Sequence, residues 1–249
     1  MKAAQKAIMK TCSAITLSFL FCVICRQAHG QTGFQNLDFE SGSLLPIPGD
    51  PYQRVAADLA LPHWTVYSGA NQVNAVLYDN AFIGSTGISI VDSSWPGVFG
   101  GDPGGVIEGN FSGLLQATEL GTSTQPANLL LTQTSLVPPG TRSVWFLGHA
   151  ARDSSFTVSL GGANLELISM PGGPNSTLLY GADVSQFAGK TAALSFTLFS
   201  PLPSYPEGYM YLDEIQFSPT VVPEPGPLLL IGSGLALASG FRVRFGRKM

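Results

Sequence analysis

Apolar and polar residues alternate with a period of two in two stretches of the chain. Phe156, Val158 and Leu160 interleave with Ser155, Thr157 and Ser159, and Leu194, Phe196 and Leu198 interleave with Ser195 and Thr197. Successive side chains of an extended strand point to opposite faces, so this spacing predicts antiparallel strands with one face buried. Further strands are predicted over 35–39, 73–78, 87–91, 143–147, 164–168 and 209–217. Turn clusters separate them, among them Pro138-Pro139-Gly140, Gly161-Gly162 and Pro171-Gly172-Gly173-Pro174. The 29 glycines and 18 prolines leave little room for helices. The pattern predicts an all-β body, a β-sandwich wound as a jelly roll. Residues 92–125 fit neither period, and their fold stays open.

Both ends of the chain break the alternation. At the start, Lys2, Lys6 and Lys10 precede an apolar run from Ala14 to Cys25, and Ala28-His29-Gly30 sets small residues at the −3 and −1 positions of a cleavage site. This is the layout of a secretion signal over 1–30, cut by signal peptidase, with Ala28 and Gly30 as the cleavage determinants. The run is short for a membrane span, which needs about 20 residues. Cys12, Cys22 and Cys25 all lie in this leader, so the exported chain is expected to hold no disulfide and to depend on its apolar core. Phe21 and Ile24 stand before Cys22 and Cys25 where a lipoprotein signal would carry a small residue.

At the other end, Val221-Val222-Pro223-Glu224-Pro225-Gly226-Pro227 cannot join a helix or a central strand. Leu228 to Phe241 is apolar or small throughout and ends in Arg242, Arg244, Arg247 and Lys248. A helix rising about 1.5 Å per residue covers roughly 21 Å over that stretch, so spanning a hydrocarbon core of about 30 Å needs its flanks to help. The basic end is expected to stay cytoplasmic, leaving the body outside. The organisation is thus a leader (1–30), a β-sandwich body (31–219) and a tail (220–249) with a short transmembrane helix.

The order Pro-Glu-Pro, short apolar helix, basic terminus resembles the PEP-CTERM sorting signal over about the last 28 residues. The resemblance implies an exosortase-type processing enzyme as partner, with Pro223, Glu224 and Pro225 as its recognition residues. It also implies a Gram-negative host that makes extracellular polysaccharide, a membrane-anchored precursor, and a destination at the cell surface or in the extracellular matrix. A plain C-terminal membrane anchor is the other reading of the same residues.

Charge narrows the partners. The formal net charge is −4, but the stretch 31–219 keeps only Arg54, Arg142, Arg152 and Lys190 against fifteen acids, a formal balance of −11. Such a body repels phosphate backbones, which argues against nucleic acid and favours neutral glycans or divalent cations.

Three segments of the body carry a second resemblance: Asn36-Leu37-Asp38-Phe39-Glu40, Asp183-Val184-Ser185-Gln186-Phe187-Ala188-Gly189-Lys190, and Tyr211-Leu212-Asp213-Glu214-Ile215-Gln216-Phe217. Their order and placement are similar to galactose-binding-domain-like jelly rolls, the fold of many carbohydrate-binding modules. That resemblance implies a structural calcium held by Glu40 and Asp213 where the first and last strands meet. Strict alternation puts Asp213 on one face with Tyr211, Ile215 and Phe217, an inward face where a carboxylate needs an ion or strong hydrogen bonds.

Sugar binding needs aromatic platforms beside hydrogen-bonding groups, since sugar rings present apolar faces edged by hydroxyls. Trp64, Tyr67, Trp95 and Tyr205 are the candidates, being in or beside loop-like segments; Trp145, inside a strand, is expected in the core. No catalytic motif stands out. After leader removal only His63 and His149 remain of the histidines, and there is no Gly-x-Ser-x-Gly elbow, His-Glu-x-x-His or phosphate loop. The expectation is a non-catalytic, polysaccharide-associated surface protein. The alternatives are a purely structural or adhesive surface domain and, behind both, a polysaccharide-modifying enzyme.

Overall fold

The computed structural model describes residues 33–81, 86–97, 105–118, 128–151, 154–173, 176–199 and 207–222. The leader, Tyr205 and the tail from Pro223 lie outside these, and with them the expected signal and transmembrane helices. Among the described residues no helix is long and apolar enough to cross a membrane.

The described chain is a β-sandwich. In order, the strands are β1 (Val55–Ala56), β2 (Thr65–Ser68), β3 (Asn71–Gln72), β4 (Ala75–Tyr78), β5 (Gly87–Val91), β6 (Ser112–Thr118), β7 (Leu129–Leu136), β8 (Ser143–Ala150), β9 (Phe156–Leu160), β10 (Ala163–Asn164), β11 (Ile168–Pro171), β12 (Leu178–Asp183), β13 (Thr191–Leu198) and β14 (Glu207–Ser218). One helical turn, α1 (Ala57–Ala60), follows β1. Among the described residues an eight-stranded sheet runs β1-β4-β5-β6-β14-β8-β12-β11 and a six-stranded sheet runs β10-β9-β13-β7-β2-β3. From β6 to β9 the chain changes sheet at every strand, and again from β12 to β14.

The alternation read from the sequence becomes the core. Ala192, Leu194, Phe196 and Leu198 of β13 are buried, while Ser195 and Thr197 face outward. Phe146 of β8 crosses the interior to meet Phe196 edge-on at 5.2 Å between ring centres, which ties one sheet to the other. Each such fully buried side chain contributes about 1.5–3 kcal/mol through burial.

Residues 35–39, expected as a strand, are not one. Asn36 and Phe39 have φ of 50° and 58°, a left-handed conformation that no extended strand contains. The segment instead bridges the two sheets. The Gln133 side chain on β7 accepts from Gln35 N at 2.7 Å and donates to Gln35 O at 2.9 Å. On the other side, Ile215 N of β14 donates to Leu37 O at 3.0 Å.

A second departure lies in β14. Its pairing with β8 shifts between Asp213 and Gln216, where Glu214 has φ of 47°. This bulge inserts an unpaired residue and reverses the alternation beyond it. Ile215 and Phe217 pack with the core, whereas Tyr211 joins a separate cluster on the outer face. Asp213 therefore shares the outer face with Tyr211, not the face of Ile215 and Phe217.

Candidate functional site

Among the described residues, the outer face of the eight-stranded sheet has a roofed half and an open half. In the roofed half, Val91, Trp95, Leu114, Tyr209 and Tyr211 form their own buried cluster, with Ile107 packed against it. The segments 92–97 and 105–111, which no period predicted, supply the cover. Trp95 Nε1 donates to the Tyr211 hydroxyl at 3.0 Å.

The open half begins at β8. Val144 and Phe146 belong to the core, so Ser143, Trp145 and Leu147 point the other way. Trp145 is half-buried and lies against Gly181 of β12, where an added Cβ would run into Cε3, Cζ3 and Cη2 of the indole. Its Nε1 donates to Ser143 Oγ at 2.8 Å, and Ser143 Oγ in turn donates to Thr220 O at 2.7 Å. Leu147 and Leu179, paired across β8 and β12, continue the surface. Gln216, opposite Trp145 on β14, is exposed, as is Asp183 at the end of β12.

Beneath the roof lies a carboxylate junction. Asp213 is only 1% exposed. Its Oδ2 accepts from Ser112 Oγ at 2.6 Å and Glu108 N at 3.2 Å, and its Oδ1 from Glu214 N at 2.8 Å. Burial outweighs these donors and pushes its carboxyl up to about 7. Glu214 is also raised, by burial first and then by the charges of Asp38, Glu108 and Glu40. Glu40 Oε1 accepts from Asn110 N at 2.6 Å and Phe111 N at 2.9 Å, and its Oε2 from Asn110 Nδ2 at 2.9 Å. Burial works against ionising Glu40, yet the Asn110 and Phe111 donors hold its carboxyl below the usual range.

The structure thus brings Glu40 and Asp213 to the same segment, 108–112, as acceptors of N–H and O–H groups. A calcium ion takes six to eight oxygen ligands. Both Glu40 oxygens are already engaged by donors, and among the described residues no group of three or more His, Cys, Asp or Glu side chains could hold a metal ion.

A second carboxylate pair joins the ends of β4 and β5, two parallel neighbours. Asp79 Oδ1 accepts from Asp92 N at 2.8 Å, and Asp92 Oδ2 from the Tyr78 hydroxyl at 2.5 Å. Ser94 bonds both carboxylates. The Tyr78 and Ser94 donors hold Asp92 down to about 2, while burial raises Asp79. These bonds staple the strand ends together.

Of the aromatic candidates, Trp64 lies inside the sandwich. It is 5% exposed, donates Nε1 to Asn36 O at 2.8 Å and packs on Phe39 and Phe196, so it is core and cannot meet a ligand. Trp95 is 9% exposed and serves as roof. Tyr67 is half-buried on the outer face of the six-stranded sheet, opposite Gln72 and Leu130. Trp145, expected in the core, is on the surface. Strand 143–147 is apolar on both faces, so alternation could not say which face was inside. The glycine opposite Trp145 was the signal available, and it becomes readable only with the register.

No protein-family model matches the chain, and no curated protein matches it. Among solved structures, the chain has a distant likeness to the carbohydrate-binding module TmCBM61 in complex with β-1,4-galactotriose. The identity is 11% and the TM-score 0.44, over 74% of this chain and 96% of that one.

Proposed function

We propose that this chain is an exported, non-catalytic protein of the bacterial cell surface or extracellular matrix. It is delivered through its Pro223-Glu224-Pro225 signal, and its body associates with extracellular polysaccharide. The sheet-to-sheet winding from β6 onward supports a jelly-roll reading of the body.

The observation that carries the reading is where the described chain leaves the sandwich. After β14 ends at Ser218, the Ser218 side chain accepts from Thr220 N at 3.1 Å, and Ser143 fixes the Thr220 carbonyl at 2.7 Å. Val221 is already 57% exposed, and Pro223 follows two positions later. An exosortase-type enzyme acting at Pro223 would cut beyond Ser218, the last residue of β14.

Intact mass of the protein recovered from its native host tests this, beside a variant with Pro223, Glu224 and Pro225 all replaced by alanine. The expected result is loss of 1–30 and of the tail near Pro223 in the wild type, with the tail retained in the variant. A wild-type tail that stays whole in the membrane would make the segment a plain anchor.

A further inference from the structure

We propose that the open face centred on Trp145 binds a neutral polysaccharide chain, one pyranose ring stacking on the indole with its hydroxyl edges turned to Gln216 and Asp183. This rests on the polysaccharide association proposed above and gives it a site. The platform is built into the sheet. Gly181 is the residue beneath the ring, and any larger one would lift the indole off the strand. The ring's only polar atom is already satisfied by Ser143, so its orientation is set before any ligand arrives. Fixing an aromatic ring in advance removes the ordering cost of binding.

The surroundings match the two characters of a sugar. Leu147, Leu179 and Ile168 are half-buried and extend the apolar surface on one side. Gln216 on β14 and Asp183 on β12 are exposed on its two flanks, an amide and a carboxylate of the kind that bond vicinal hydroxyls. Glu214, which accepts from Gln216 Nε2 at 3.3 Å, adds a second carboxylate to that rim. With the body at a formal −11, a polymer of uronates or sulfated sugars would be repelled, so the ligand class is neutral.

The test is electrophoresis of the full-length chain through gels containing hydroxyethylcellulose or galactan, and through gels containing alginate, alongside acrylamide quenching of tryptophan fluorescence. Trp64 and Trp95 are buried with bonded indoles, so quenching reports on Trp145. The expected result is retardation by a neutral polymer and not by alginate, and shielding of Trp145 by that polymer in the wild type. Affinity should fall about tenfold or more in Trp145→Ala and partly recover in Trp145→Phe. Retardation by a neutral polymer with Trp145 still fully quenchable, and undiminished in Trp145→Ala, would move the site elsewhere while leaving the polysaccharide association standing. No retardation by any neutral polymer, with Trp145 accessible, would remove that association and the site together. A Trp145 already shielded in the free chain would mean that a second copy, or the residues after Val222, occupies the face, and would overturn the proposal.

Discussion

The indole N–H of Trp95 reaches the hydroxyl of Tyr211 at 3.0 Å across 116 positions of sequence, and both rings are buried outside the main core. One bond thereby fastens the segment after β5 to the centre of β14. Tyr211→Phe leaves a buried N–H without its acceptor and should cost about 1–3 kcal/mol in urea unfolding. Trp95→Ala, which also empties the roof, should cost about 3–5 kcal/mol. Equal, small losses in the two variants would mean that the roof is not packed as described.

Asp213 sets a pH dependence. Its carboxyl titrates near 7 in the folded protein against about 3.9 in an unfolded chain. Between those values the folded state holds a proton that the unfolded state has released, so stability falls as pH rises from about 4 to 7. The loss is on the order of 4 kcal/mol. Asp92, held low, acts oppositely, and its contribution is lost only as pH falls below about 4. Denaturant unfolding should show the decline in the wild type and a flatter profile in Asp213→Asn. A wild type equally stable at pH 5 and pH 8 would contradict it.

The melting temperature should be the same in millimolar calcium and in EDTA, because the oxygens of Glu40 are held by Asn110 and Phe111. A rise of several degrees with calcium would show that these donors give way to an ion.

Gln133 does the work of a strand neighbour with a side chain, bonding both the N–H and the carbonyl of Gln35. Gln133→Leu keeps the volume but leaves two backbone groups unpaired in a largely buried place. A loss of about 2–4 kcal/mol is expected, with hydrogen exchange rising first at Gln35 and its neighbours. Unchanged exchange there would make the bonds incidental.

Strands with one polar face were legible from sequence. Residues 87–91 form β5 as expected, and the predicted stretch after residue 193 falls within β13. Where both faces are apolar the period carries no information about facing, which is why Trp145 was placed inside. The bulge at Glu214 inverted the facing of Asp213 because a single left-handed residue leaves the local pattern looking regular. Trp64 looked like a loop residue and is one, but Phe39 and Phe196, distant in sequence, close over it. The strands β6, β7 and β12 carry enough apolar residues to be buried, yet their mixed patterns hide them. The carboxylate junction depends on three segments meeting, which no local reading supplies.

The Ser143 hydroxyl pins Thr220 just past the end of a strand that has β6 on one side and β8 on the other. Tension applied through the C-terminus would run along β14 and load both ladders in shear, many bonds at once, instead of peeling an edge strand bond by bond. If the chain is held from its C-terminus, as proposed above, cutting beyond Val222 would release the domain more easily than unravelling the sandwich.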